Sequence, residues 1–283
     1  MKVSVVIPTY NRVDLLKKAI DSVAAQTYRD FEIIVVDDGE DSPEEMLAAF
    51  SNLSITYHKN EKKLGGGGSR NKGVSLAAHD VIAFLDDDDS WVPEKLEKQV
   101  AALREHKEAL FCFCAVLNVF PDKEERTHVV EGLSDVHLLS LRRFKGFLTS
   151  GLVVYKDVFE RIGGFDATFP SHQEAELMIR LSREGKGVGI DEPLVRMNLA
   201  HGRDHIGGNI ERRIKGREML LKKHEGVYKE HKDIYALQWY RLSFLYRDAK
   251  KSVVAASCLL HAWRFSLNPY YLIRCIVMLV FKR

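Results

Sequence analysis

Cysteine is scarce in this chain: four in 283 residues, Cys112, Cys114, Cys258 and Cys275. Their spacings match no zinc-ligand pattern and no disulfide framework, which points to an intracellular setting. Cys112 and Cys114 alternate along an expected strand, where buried packing is their role. A dominant charge sign is missing as well. Lys+Arg number 42 against 40 Asp+Glu, and a net of +2 argues against a nucleic-acid partner and against an acidic tail. No leader is expected, because the apolar run in "MKVSVVIP" is short and Pro8 breaks it, so it reads as a first strand. Internal repeats are absent, and glycines 65–68 form the only low-complexity stretch. No Walker Lys-Ser/Thr follows those glycines.

What is present is enough apolar residue (46%) for one large domain, or one domain with a smaller C-terminal part. Strand-like runs "VSVVIP", "FEIIVVDD", "LSITYH" and "VIAFLDDDD" alternate with helical patterns through the first half. Asn11 is placed to cap a helix carrying Leu15, Leu16, Ala19, Ile20 and Val23 on one face. Further helices are expected from Pro43, after Arg70, and from Pro93. Such alternation predicts an α/β fold, a mostly parallel sheet covered by helices on both faces. Later strands are expected at "LFCFCAVLNVF", "GLVVY" and "VGIDEPLVRMNLAH", with a helix from about Gln173. Beyond Gly207 the pattern is helical and basic.

In open parallel sheets, ligands bind beyond the C-terminal strand ends. Here those ends carry Thr9, then Asp37 with Asp38, then Asp86 to Asp89. Four like charges at the end of a buried strand are costly unless a cation belongs among them. Asp86 and Asp88 flank one residue, so a tight turn aims both at one point, and a hard divalent ion such as Mg²⁺ or Mn²⁺ suits that pair. Read alone, the run is equally a solvated loop. The glycines permit close backbone approach, the helix after them offers N–H groups to a phosphate, and Arg70 adds a cation with fork geometry. Asp37 and Asp38 are placed to accept from a base or a ribose hydroxyl, or to act as turn acids.

"VSVVIPTYNR", "QTYRDFEIIVVDDGEDS", "GGGGSRNKG" and "VIAFLDDDDSWVPEKLE" together closely resemble the family 2 glycosyltransferases of the GT-A fold. The likeness holds in order and spacing from residue 3 to about 100. It continues more loosely through "TSGLVVYKDVFERIGGFD" and "EAELMIRLSREG", and fades after about residue 210. The resemblance implies an inverting enzyme that moves a sugar from a nucleotide-diphosphate sugar, UDP- or GDP-linked, to a hydroxyl acceptor. It implies a Rossmann-like GT-A catalytic domain over 1–206 and a helical C-terminal extension over 207–283. It places Pro8, Thr9, Tyr10 and Arg12 around the nucleotide, Asp37 and Asp38 at the base, and Arg70 at base or phosphate. Asp86, Asp87 and Asp88 cover the family's Asp-x-Asp, with Asp88 the direct ligand of Mn²⁺ or Mg²⁺ and Asp86 or Asp87 nearer the ribose. Asp89 and Trp91 also match, as residues that shape the turn and pack.

The family's general base is an Asp after another acid, at the start of a helix that ends in Arg. Here Gln173 replaces the preceding acid, Glu174 stands at the base position with Arg180 in register, and Glu176 is the reserve. A Glu base is one methylene longer. A His after the last sheet strand helps hold metal and diphosphate in this family, which nominates His201 ahead of His205, with Arg203 as an assistant.

The stretch "NPYYLIRCIVMLVFKR" is too short and too interrupted to span a bilayer. With "SVVAASCLLHAWRF" before it, it reads either as an interfacial membrane contact over 252–283 or as a helix pair packed on protein. The membrane reading brings a lipid-linked glycan acceptor at the cytoplasmic face and a role in surface-polysaccharide assembly. Three other readings compete. A nucleotidyltransferase making nucleotide sugars would place its glycine loop after the first strand, where "PTYNR" stands. A phosphohydrolase would carry its Asp-x-Asp on the first strand. A degenerate transferase retained as a partner subunit has only Gln173 in its favour.

Overall fold

The computed structural model describes residues 1–142, 147–199 and 209–281. In chain order the elements are β1 (Val3–Thr9), α1 (Val13–Ala24), β2 (Phe31–Asp37), α2 (Glu44–Ala48), β3 (Ile55–Lys59), α3 (Gly65–Leu76), β4 (Val81–Phe84), β5 (Asp89–Trp91) and α4 (Lys95–Glu105). Then come β6 (Ala109–Val119), β7 (Glu124–Arg126), β8 (Gly132–Ser134), α5 (His137–Arg142), β9 (Val153–Tyr155), α6 (Lys156–Arg161), α7 (Gln173–Glu184) and β10 (Lys186–Asn198). The last five are α8 (Ile210–Lys223), α9 (Glu225–Glu230), α10 (Lys232–Asp248), α11 (Ser252–Ser266) and α12 (Pro269–Phe281). They fall into two compact units. The first comprises Met1–Ser140, Phe144–Ala167 and Leu177–Gly202; the second comprises Leu141–Arg143, Thr168–Glu176 and Arg203–Arg283.

The first unit is built on one sheet with strand order β3-β2-β1-β4-β9-β6-β10-β5, β7 pairing with β6 and β8 with β10. Strands β3, β2, β1 and β4 are mutually parallel, as are β6 and β10, while β9 joins the two sets antiparallel to both neighbours. The strand period of two sorts the core. Val3, Val5 and Ile7 of β1 pack with Leu16, Ala19 and Ile20 of α1 and Leu96, Val100 and Leu103 of α4. Val6 faces the other way, with Val74 of α3, Phe159 of α6 and Leu181 of α7. Helices therefore cover both faces, as the alternating pattern predicts.

Two local expectations change. The glycines do not form a loop ahead of a helix; they are the first turn of α3. Glycine costs a helix about 1 kcal/mol per residue, and here the Asp38 carboxylate offsets part of that by accepting from the N–H groups of Leu64 (2.8 Å) and Gly65 (2.7 Å). Gly73 has a packing reason, since a Cβ there would lie 2.3 Å from the Val6 Cγ1. Nor does Asn11 cap α1. It sits in the left-handed region (φ 52°), and its Oδ1 accepts from the N–H groups of Glu40 and Asp41, tying the loop after β1 to the loop after β2.

The second unit is helical. Within it α11 and α12 share a small buried cluster of Ala255, Ala256, Leu259, Cys275 and Met278. Among the described residues no helix is long and apolar enough to cross a membrane.

Candidate active site

The parallel register sets Thr9 beside Asp37 and Val6 beside Phe84, so the acidic run leaves β4 next to the C-terminal end of β1. There it makes a turn in which the Asp89 N–H donates to the Asp86 carbonyl at 3.1 Å. The turn splits the run by alternation. The side chains of Asp87 and Asp89 are buried, whereas those of Asp86 and Asp88 stay 30% and 17% exposed.

Each carboxylate has its own support. Arg12 Nη1 donates to Asp88 Oδ2 at 2.7 Å and lies 3.5 Å from Asp87 Oδ1, while the Thr9 hydroxyl donates to Asp87 Oδ2 at 2.8 Å. Arg70 of α3 pairs with Asp86, and its guanidinium lies 5.3 Å from the Phe165 ring centroid. Asp89 accepts from the Ser150 hydroxyl at 2.5 Å, and the same oxygen accepts from the Asp86 N–H at 3.1 Å. Burial raises the Asp87 carboxyl to about 7, with Arg12 and Thr9 opposing and Asp88 and Asp86 reinforcing. Burial likewise raises Asp89 well above the carboxylate range, with Asp86 and Asp88 adding repulsion.

Asp37 is fully buried. Its Oδ2 accepts from the Tyr57 hydroxyl and the Lys59 ammonium, each at 2.9 Å, and its Oδ1 accepts from the Gly39 N–H. A contact from Asp37 to a base would require that network to open. Asp38 caps α3, and its Oδ1 also accepts from the Asn60 amide. Pro8 lies within β1, and Tyr10 just beyond it is exposed, with Lys63 Nζ 3.8 Å from the ring centroid. Thr9, Arg12, Asp86, Asp87 and Asp88 are thereby brought together with Arg70, and Tyr10, Asp37 and Asp38 border them on the neighbouring strand ends.

Ser150 belongs to this arrangement, although the reading of the sequence gives it no role. It comes 61 residues after Asp89 and reaches it only because β9 is inserted beside β4. The one local signal is the small-residue triplet Thr149-Ser150-Gly151 ahead of a strand. Trp91 supports the same turn by donating its indole N–H to the Ser150 carbonyl at 2.9 Å.

The start of α7 lies in the second unit. Glu174 is half-buried in the first helical turn, and Gln173 donates its side-chain amide to the Phe169 carbonyl at 2.8 Å. His172, immediately before, is held at φ 62° with its ring between Ser171 and Arg217, and burial, then Arg217 and Arg213, lower it to about 3. Glu176, the reserve base, is completely buried and lies 2.8 Å from Lys223 Nζ and 3.2 Å from His224 Nε2. That geometry pins the helix and leaves Glu176 no path to an acceptor. Arg180, in the first unit, holds the carbonyls of Ile162 and Gly164. His201, Arg203 and His205 lie outside the described residues. Among the described residues no three His, Cys, Asp or Glu side chains converge as a preformed metal cage.

A parallel half-sheet with clustered acids and arginines at its C-terminal edge is the framework of a GT-A nucleotide-sugar transferase. Residues 4–159 match the family described as Glycosyl transferase family 2. The chain belongs to that family. The amylovoran biosynthesis glycosyltransferase AmsB of Erwinia amylovora is 26% identical over 275 residues, covering 89% of this chain and 87% of AmsB. Among solved structures, S. aureus TarS 1-349 in complex with UDP-GlcNAc superposes with a TM-score of 0.64 at 16% identity, over 95% of this chain and 75% of that one. The mannosyltransferase PcManGT from Pyrobaculum calidifontis, in complex with GDP-Man and Mn²⁺, gives 0.56 at 19% identity, over 100% and 88%. These likenesses carry the fold.

Proposed function

We propose that this chain is a divalent-metal-dependent, inverting glycosyltransferase, with residues 1–206 as its catalytic domain and 207–283 as a helical region contacting a membrane. The observation that carries the reading is the turn at Asp86–Asp89, with Asp86 and Asp88 facing outward beside Arg12 and Arg70. The donor set fits Mn²⁺ or Mg²⁺, since the outward side chains present hard carboxylate oxygens. Asp88 would hold the ion, with His201 as the candidate further ligand and Asp86 nearer the ribose. When bound, the ion supplies neutralisation of the charge left on the departing diphosphate.

The residues of the chain do the rest. Thr9, Tyr10 and Arg12 line the nucleotide with Pro8 behind them, Asp38 and Asp37 face the base side, and Arg70 and Asp86 approach the phosphate and ribose. Glu174 takes the proton of the acceptor hydroxyl as its oxygen bonds to the anomeric carbon. The bond from that carbon to the diphosphate oxygen breaks, and the configuration inverts. UDP- or GDP-sugar is the proposed donor, in keeping with the ligands named for TarS and PcManGT. A glycan or lipid-linked glycan is the proposed acceptor, AmsB being named for amylovoran biosynthesis. The proposed location is the cytoplasmic face of the cell membrane.

The test is a thermal-shift and calorimetry panel of UDP, GDP, CDP and dTDP with Mn²⁺, Mg²⁺ or EDTA. A ligand of the folded state raises its melting temperature. Metal-dependent stabilisation by one nucleotide, abolished in Asp88→Ala, is the expected result. No response to any nucleotide, with or without metal, would return the reading to an inactive partner subunit.

A further inference from the structure

The α11–α12 hairpin combines three features that the transfer reaction does not explain. Its inner face is buried, and its outer face carries exposed apolar residues. Val253 and Leu260 lie seven residues apart, which puts them on one helical stripe of α11, and Leu267 follows at the helix end; Val253 and Leu267 are 76% and 71% exposed. On α12, Ile273 (59% exposed), Ile276 and Val277 form a second exposed stripe. Soluble surfaces carry single exposed apolar residues, not paired stripes on adjoining helices.

The second feature is charge. Beyond Asp248 the sequence contains no Asp or Glu, whereas Lys250, Lys251, Arg264, Arg274, Lys282 and Arg283 are all cationic. Lys251 is engaged by Glu211, so Arg264, exposed one helical turn beyond Leu260, is the cation best placed beside the apolar face.

The third feature is the tip. Leu267 ends α11 in the left-handed conformation, φ 56°. Glycine is the favoured residue at such a helix end, and an exposed leucine there is unfavourable both to the backbone and to its hydration. An apolar phase at the tip removes the second cost. Tyr270, just past the tip, shares a ring cluster with Tyr240 and Tyr271 and bonds its hydroxyl to that of Tyr240 at 2.9 Å, the amphipathic chemistry found at headgroup level.

From these we infer that the hairpin is a monotopic docking surface for an anionic bilayer, with Leu267 and the stripes of α11 and α12 entering the acyl boundary and Arg264 and Arg274 reaching lipid phosphates. This deepens the membrane contact proposed above and rests on that reading. A bilayer is favoured over a second copy of the chain because every charge on the hairpin has one sign, which opposes self-association. Among the described residues neither helix is long and apolar enough to cross a membrane.

The experiment is flotation of the full chain with vesicles of phosphatidylcholine alone or with 30% phosphatidylglycerol, at low and high salt, beside light scattering of the free protein. The expected result is capture by the anionic vesicles, weakened by salt and by Arg264→Gln about fivefold. Leu267→Gly should weaken capture while leaving the melting temperature unchanged or higher, because glycine suits the left-handed position. A folding defect would lower both. Equal binding to both vesicle types, binding to neither, or a dimer that Leu267→Asp dissociates would each overturn the inference. Nucleotide thermal shifts run on the same samples separate the outcomes. A retained shift with no vesicle capture refutes the lipid surface alone, and a lost shift with capture intact refutes the transferase assignment alone.

Discussion

Lys95 offers the sharpest test of how the core supports the site. It is fully buried, its ammonium lies 3.8 Å from the Trp91 ring centroid, and it donates to Gln99 Oε1 at 2.6 Å. Gln99 in turn donates to the Gly151 carbonyl at 2.9 Å, and Trp91 to that of Ser150, so the cation braces the turn that holds Asp86 and Asp89. Burial lowers the Lys95 ammonium from 10.5 to about 8. The sign follows from proton binding. Between pH 8 and 10.5 the unfolded lysine keeps its proton while the buried one has lost it, so the unfolded state binds more protons and stability rises with pH. Below pH 8 both are charged and the burial cost stands in full, about 3 kcal/mol for a shift of this size. Lys95→Met removes the titration and keeps the length of the side chain. Urea unfolding of both proteins from pH 7 to 10.5 should show wild type gaining about 3 kcal/mol on the variant across that window. Other titrating groups are common to both proteins and cancel in the difference. A difference that stays flat with pH would show that the ammonium is not buried in its charged form, and the bracing argument would fall with it.

Three further outcomes are expected. Ser150→Ala strips the buried Asp89 carboxyl and the Asp86 N–H of their shared partner, which should cost about 2–3 kcal/mol in urea unfolding and weaken metal-dependent nucleotide binding; a loss below about 0.5 kcal/mol would remove Ser150 from the site. Glu174→Gln should lower kcat roughly a hundredfold or more with nucleotide binding unchanged, and full turnover in that variant would exclude Glu174 as the base. Gly73→Ala forces a methyl group against Val6 between α3 and β1, so thermal unfolding should report a loss of about 1–3 kcal/mol, whereas an unchanged melting temperature would show that α3 shifts freely.

Much of the fold was legible because its signals are local or periodic. The runs ending in Thr9, Asp37 and Asp86 are short, β-branched and separated by helices, and the parallel rule then brings their ends to one edge. The reading failed where a distant partner decides. Nothing near Asp89 announces Ser150. Propensity puts the glycines ahead of the helix because it counts only what lies within the segment, whereas the Asp38 cap comes from another strand end. Asn11 has the composition of a helix cap, yet the two N–H groups it serves lie 29 and 30 residues away. Glu174 and Glu176 look alike in a first helical turn, and only the packing of Lys223 and His224 distinguishes them.

The four aspartates resolve into two pairs with different work. The turn after β4 sends alternate side chains to opposite sides, so the inward pair, Asp87 and Asp89, meets hydroxyls from β1 and from the turn before β9, and the outward pair, Asp86 and Asp88, meets guanidinium groups from α3 and the start of α1. Burial raises the inward carboxyls, Asp87 and Asp89. The inward pair is therefore scaffold, held by bonds that a neutral carboxyl also makes. The outward pair stays open to solvent beside fork-shaped cations, the arrangement in which an oxygen-ligated ion and a diphosphate neutralise one another. A run that looks self-repelling in sequence is, once folded, a buried pair and an outward pair joined by one turn.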